Sequence, residues 1–107
     1  MNSEIKKLWV DALRSGEYIQ GKGQLKNEDN QFCCLGVLCD LHRKLNPENK
    51  WNSNEYFETS TSLPLEVVEW AGLERSNPYL NQASCVGLND CGFYTFEVIA
   101  NFIEKEL

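Results

Sequence analysis

Basic residues nearly vanish from the second half of the chain. From Trp51 to Leu107 only Arg75 and Lys105 stand against nine carboxylate side chains, a net −7, whereas residues 1–50 carry +1. A phosphate backbone is gripped by converging Lys and Arg, so this shortage argues against broad nucleic-acid binding. Long apolar runs are missing too. No stretch approaches the ~18 apolar residues of a membrane span, so no membrane insertion is expected. The opening MNSEIKKLWV has two lysines but lacks the apolar segment of about 7–15 residues that follows them in a secretory signal. A cytoplasmic, reducing location is the resulting expectation. Nucleotide signatures are absent as well. Gly21-Lys22-Gly23 has no third glycine and no GKS or GKT.

What is present reads as one folded domain, residues 1–107, large enough for a single core. The densest apolar run is FCCLGVLCDLHRKL, residues 32–45, with three of the five cysteines and the only histidine. It predicts a helix from about Cys34 to Leu45, covered on two sides. Gly36 in its interior points to close approach by another backbone. Ile5, Leu8, Trp9, Ala12 and Leu13 repeat with helical spacing over 4–15, with Ser3 as N-cap and Gly16 as stop. A short helix is predicted over 64–71, and a last one over 95–105 behind Thr95.

Polar turn residues around Asn27 to Asn30 predict a hairpin pairing 22–26 with 31–34, and 83–88 is read as a further strand. The expectation is an α+β domain: three main helices and one short helix packed with a small antiparallel sheet or hairpin. The alternative is an all-α domain with an irregular hairpin. Asn46 to Ser62 is a polar loop that Trp51, Tyr56 and Phe57 should pin to the body.

Several residues are candidates for chemistry. Cys39 and His42 stand one helical turn apart. With Cys85 and Cys91 they could complete a four-ligand zinc site, although no C-x2-C knuckle is present. With Asp90 the same pair could form a thiol or zinc hydrolase centre. The competing reading is buried, apolar, reduced cysteines, for which no cofactor is needed. Arg14, Lys22 and Lys26 could hold a phosphate group, with Trp51 or Tyr56 stacking on a base. Trp51, Tyr56, Phe57 and Tyr79, with the carboxylates Glu66 and Glu69, are candidates for a protein interface.

ALRSGEYIQGKGQL (12–25), FCCLGVLCDL (32–41), LPLEVVEWAGL (63–73) and LNDCGFYTFEVIANFIE (88–104) together resemble a family of small proteins from bacteriophages and prophage-bearing bacteria. The resemblance spans most of the chain and brings no catalytic residues with it. It implies a setting in which short proteins bind or inhibit a host factor, or sequester a signalling nucleotide. The leading expectation is thus a noncatalytic interaction module whose partner is a host or bacterial protein. A nucleotide-binding protein and a cysteine- or zinc-dependent hydrolase are the alternatives. Self-association into a homo-oligomer is left open.

Overall fold

The computed structural model describes residues 1–107 as an α+β fold of five helices and two small two-stranded sheets. Helix α1 (Ser3–Ser15) begins one residue before the expected start. Asn2, rather than Ser3, caps it: its side-chain oxygen accepts from the amides of Glu4 and Ile5 at 2.9 and 3.0 Å. Gly16 ends α1 at φ +81°, a left-handed conformation that glycine adopts without penalty.

Strand β1 (Ile19–Gln20) runs parallel to β2 (Gln31–Phe32), which corrects the expected pairing. Of the proposed hairpin 22–26 with 31–34, only the isolated antiparallel bridge Lys26–Phe32 exists. The cause is a double reversal. The Gly21–Gly23 turn redirects the chain after β1, and Asn27 then nucleates a second turn by accepting from the amides of Asp29 and Gln31. Phe32 is therefore bracketed on both sides, its carbonyl accepting from Gly21 N at 2.7 Å.

Helix α2 (Cys34–Leu45) follows and is the centre of the molecule. Every residue from Cys34 to Asp40 is buried. The segment through Leu25 crosses it at Gly36, where a Cβ would lie 1.8 Å from the Leu25 carbonyl oxygen. That close approach accounts for glycine inside a helix. Trp9, wholly enclosed, fastens α1 to α2 by donating from Nε1 to the Cys34 carbonyl at 2.9 Å.

The loop from 46 to 62 contains no strand, only the bridges Asn52–Glu55 and Tyr56–Thr59. Helix α3 (Leu65–Ala71) ends at Gly72 in the left-handed region. Strands β3 (Tyr79–Leu80) and β4 (Ala83–Ser84) form an antiparallel hairpin. The strand expected over 83–88 stops after two residues, because Ser84 caps a further helix, α4 (Cys85–Asp90), through the Gly87 amide at 3.0 Å. Helix α5 (Phe96–Glu106) lies along α1, burying Phe96, Ile99, Ala100 and Ile103. The two sheets rule out the all-α alternative. No helix is long and apolar enough to cross a membrane.

Candidate functional site

Three polar centres surround α2, and each ties distant segments together. The first is Asp40, which is 6% exposed. Its carboxylate accepts from the Tyr18 hydroxyl (2.7 Å), Arg43 Nε (2.7 Å) and Trp51 Nε1 (3.0 Å). Burial pushes this carboxyl up, but the bonds from Arg43, Trp51 and Tyr18 outweigh it and hold the group below its ordinary range. Burial and the Asp40 carboxylate together push the Tyr18 phenol up.

The second centre is His42. Its Nδ1 and the Tyr56 hydroxyl share a 2.6 Å hydrogen bond. Tyr56, Phe57 and Trp70 box the imidazole edge-to-face, with ring centres 5.0–5.9 Å away. Burial lowers the His42 pKa, so the neutral ring is favoured.

The third centre is Asn89, wholly enclosed. Its Nδ2 donates to the Gly21 carbonyl (2.8 Å) and to Asp90 Oδ1 (2.9 Å), while its Oδ1 accepts from Cys34 N and Gln20 Nε2, both at 3.1 Å. One side chain thus holds together the start of α2, the glycine turn and α4. Nothing in the sequence analysis singles out Asn89 for this role. The one available signal was an amide directly after the apolar Leu88.

The residues proposed for catalysis do not converge through these bonds. Cys39 is fully buried, and burial raises its thiol pKa well above the ordinary value. His42 is bonded to Tyr56, while Asp90 accepts from the Gly23 amide at 3.2 Å and from Asn89. Cys85 is buried against Cys34 instead, its carbonyl accepting from the Cys34 thiol at 3.5 Å. Contact with the Cys85 thiol and burial both push Cys34 up. Cys33, capping α2, is pushed to about 11 by burial. Cys91 lies exposed on the surface. No three of the His, Cys, Asp and Glu side chains gather closely enough to hold a metal ion.

The cations proposed for phosphate are dispersed. Arg14 pairs with Glu104 at 3.2 Å and donates to Asn101 at 2.6 Å. Lys26 lies over the Trp51 ring, 5.6 Å from its centre, and Lys22 reaches Gly92. Trp51 packs edge-on against Phe32 and tilted on Tyr56. Tyr56, at 0% exposure, has no face to offer a base or a partner. Phe57 is half-buried in the His42 box.

Of the interface candidates, Glu66 and Glu69 point outward from α3, and Tyr79 is exposed beneath the Arg75 guanidinium, 5.3 Å from the ring centre. Arg75 and Tyr79 line a surface cavity of about 560 Å³ with Leu73, Glu74, Pro78 and Glu106.

The largest exposed apolar group lies elsewhere. Phe93, 87% exposed, stands on the turn between α4 and α5. That turn is fixed from three sides. Gln20 Nε2 donates to the Tyr94 carbonyl at 3.0 Å, Asp90 accepts from Gly23 N, and Thr95 caps α5. On α5, Val98 is 37% exposed, and the rings of Tyr94 and Phe102 meet edge-on with centres 6.0 Å apart, each half-buried. Ile19, adjoining Gln20, is exposed as well. Apolar groups with exposed surface therefore lie both on the turn and on the outer face of α5.

These features define a small α+β domain with a polar-pinned central helix. The chain belongs to the family described as Domain of unknown function (DUF8296), whose model matches residues 1–107. No curated protein and no solved structure matches it.

Proposed function

We propose that the protein is a noncatalytic interaction module that docks on another protein through the exposed apolar surface around Phe93. The carrying observation is a phenylalanine left 87% exposed on a turn that hydrogen bonds hold rigid. Single exposed apolar residues are ordinary on proteins. The backbone on both sides of this one is tied down, and Val98, Tyr94 and Phe102 follow it in sequence with exposed or half-exposed apolar surface, so a partner meets it with less backbone entropy to lose. Burial of the thiols other than Cys91, with raised pKa values at Cys33, Cys34 and Cys39, supports the noncatalytic part of the reading, because the thiolate is the nucleophile. The resemblance to phage and prophage proteins supplies the setting: a host or defence protein as partner, with inhibition as the outcome, in the bacterial cytoplasm.

The test is site-specific photocrosslinking in bacterial cells, with a photoreactive phenylalanine analogue replacing Phe93 or, as control, exposed Lys50. A discrete protein adduct at 93, absent at 50 and lost with Val98→Asp, is expected. Equal or no crosslinking at the two positions would overturn the reading.

The cavity at Arg75 and Tyr79 favours a second reading, a small-ligand binder on residues other than Arg14, Lys22 and Lys26. A guanidinium and two side-chain carboxylates within one largely polar concavity of this size suit a small zwitterion. Native mass spectrometry of gently purified protein tests it through any added ligand mass.

A further inference from the structure

We infer that the turn from Tyr56 to Thr59 is a strap held shut by the uncharged His42 ring, and that protonation of this ring releases it. The inference is independent of the docking surface at Phe93. Tyr56 and Thr59 each donate an amide to the other's carbonyl, at 2.8 and 3.2 Å, closing a two-residue turn. Its inner residues, Phe57 and Glu58, both have positive φ, +50° and +68°. A turn of that shape calls for Asn-Gly, because a Cβ in the left-handed region crowds the backbone. Phe57 and Glu58 are therefore strained, and such strain persists only while the surroundings brace it.

The residues that open the turn lean on one side chain. His42 Nδ1 and the Tyr56 hydroxyl share a 2.6 Å bond, and the Phe57 ring stands edge-to-face on the imidazole with centres 5.9 Å apart. Trp70 of α3 closes on the same ring at 5.0 Å. The charged groups that face the imidazole are Glu48 from the loop and Glu66 from α3, both exposed. On α2 itself, Asp40 and Arg43 are paired with each other at 2.7 Å, and the Cys39 thiol is buried. His42 Nε2 has no partner in the protein, yet no buried polar side-chain atom is unpaired, so the ring meets water at that nitrogen.

An imidazolium is poorly solvated among Tyr56, Phe57 and Trp70, whereas Glu48 and Glu66 offer it carboxylates outside. Protonation therefore draws the ring outward. Tyr56 loses its hydrogen-bond partner, Phe57 loses its support, and the strain in the turn then favours release. The loop stays anchored on both sides, by Trp51 on Asp40 and by the Ser60 carbonyl on Leu25 N at 2.6 Å. Movement is thus confined to the residues between these anchors, and it uncovers Tyr56 and Phe57.

NMR on the full chain, from about pH 7.5 to about pH 5, tests this. Cross-relaxation from the His42 ring to the Phe57 and Trp70 rings reports the shut strap. The imidazole shifts report the ring's own charge, and contacts between α1 and α5 report the rest of the fold. The ring contacts should disappear in step with imidazole protonation while the α1–α5 contacts persist. Glu58→Gly relieves one strained residue and should lower the open-to-shut ratio about threefold at a given pH. Glu48→Gln combined with Glu66→Gln should lower the midpoint by about half a pH unit. These substitutions fall at exposed positions and leave the core untouched. His42→Phe should keep the new ring against Phe57 throughout. Ring contacts that survive on a charged imidazole, an imidazole still neutral at the acid end, or loss of the α1–α5 contacts in the same step would each overturn the inference. Equal opening in His42→Phe would overturn it too, by placing the trigger on another group.

Discussion

The Tyr18 hydroxyl donates to Asp40 across 22 residues of sequence at 2.7 Å, joining the chain after α1 to the buried carboxylate of α2. Arg43 and Trp51 use the remaining acceptor capacity of the same carboxylate, so three segments depend on one charge. Asp40→Asn leaves the volume intact but removes that charge and turns one acceptor into a donor. A loss of about 2–4 kcal/mol in unfolding free energy is expected from urea titration at neutral pH.

The same carboxylate sets an acid limb. Its pKa is held below the ordinary value in the fold, so the unfolded chain takes up the proton first as pH falls. Its contribution is present above about pH 4, the unfolded value, and is lost as pH drops through the lower folded value. Thermal melts from pH 6 down to pH 3 should fall less steeply for Asp40→Asn than for the parent. Parallel slopes would show that Asp40 does not carry this limb.

Gly36→Ala reverses the usual sign of a helix substitution. Propensity alone predicts a gain of about 1 kcal/mol. The new methyl would instead stand 1.8 Å from the Leu25 carbonyl oxygen, a backbone atom that also accepts from Cys33 N. Displacing that segment should cost more than about 2 kcal/mol, read as a lower denaturation midpoint. An unchanged or raised midpoint would mean that the crossing is looser than described.

The central helix and its close backbone neighbour were legible because both follow from local signals: an apolar run and a glycine where propensity disfavours one. Thr95 and Gly16 gave helix ends for the same reason. The parallel β1–β2 pair was not legible. Two consecutive turns, at the glycines and at Asn27, decide its direction, and two-residue strands leave no alternation to read. Helix α4 overlaps the expected strand 83–88 because its only helical signal is a single capping serine, Ser84, on six residues. Among candidate site residues, Tyr56 illustrates the limit. An aromatic in a polar loop is equally consistent with an anchor for a partner and with a plug for the core, and only the packing onto His42 decides. Phe93 is not legible as an exposed group, because exposure has no sequence signature.

Asn89 provides a test of polar satisfaction. Asn89→Asp keeps the acceptor for Cys34 N and Gln20 but loses the donor to Gly21, and places a second carboxylate beside Asp90. Asn89→Asp should therefore destabilise by about 2–3 kcal/mol, with part of the loss recovered toward pH 4, where protonation restores a donor. If the loss were independent of pH, repulsion and the missing donor would not be its origin.

His42 is the chain's only histidine, so its titration is free of overlap in an NMR spectrum. Burial lowers its pKa, so its ring should titrate below about 6.5, the free value. The linkage has a definite sign. As pH falls below the unfolded value, the unfolded chain takes up a proton that the fold resists, so stability declines from about pH 6.5 downward until the folded pKa is passed. The penalty is absent above that range. Tyr56→Phe removes the hydroxyl bonded to Nδ1 while keeping the ring that walls the box. It leaves a buried imidazole nitrogen without its partner, and a loss of about 1–3 kcal/mol at pH 7.5 is expected. His42→Phe removes the titrating group altogether, so its stability should be flat between pH 7 and pH 5.5 where the parent's declines. If instead the imidazole titrated at or above its free value, and His42→Phe kept the parent's slope, the enclosed neutral ring would have to be abandoned as the link between α2 and the 46–62 loop.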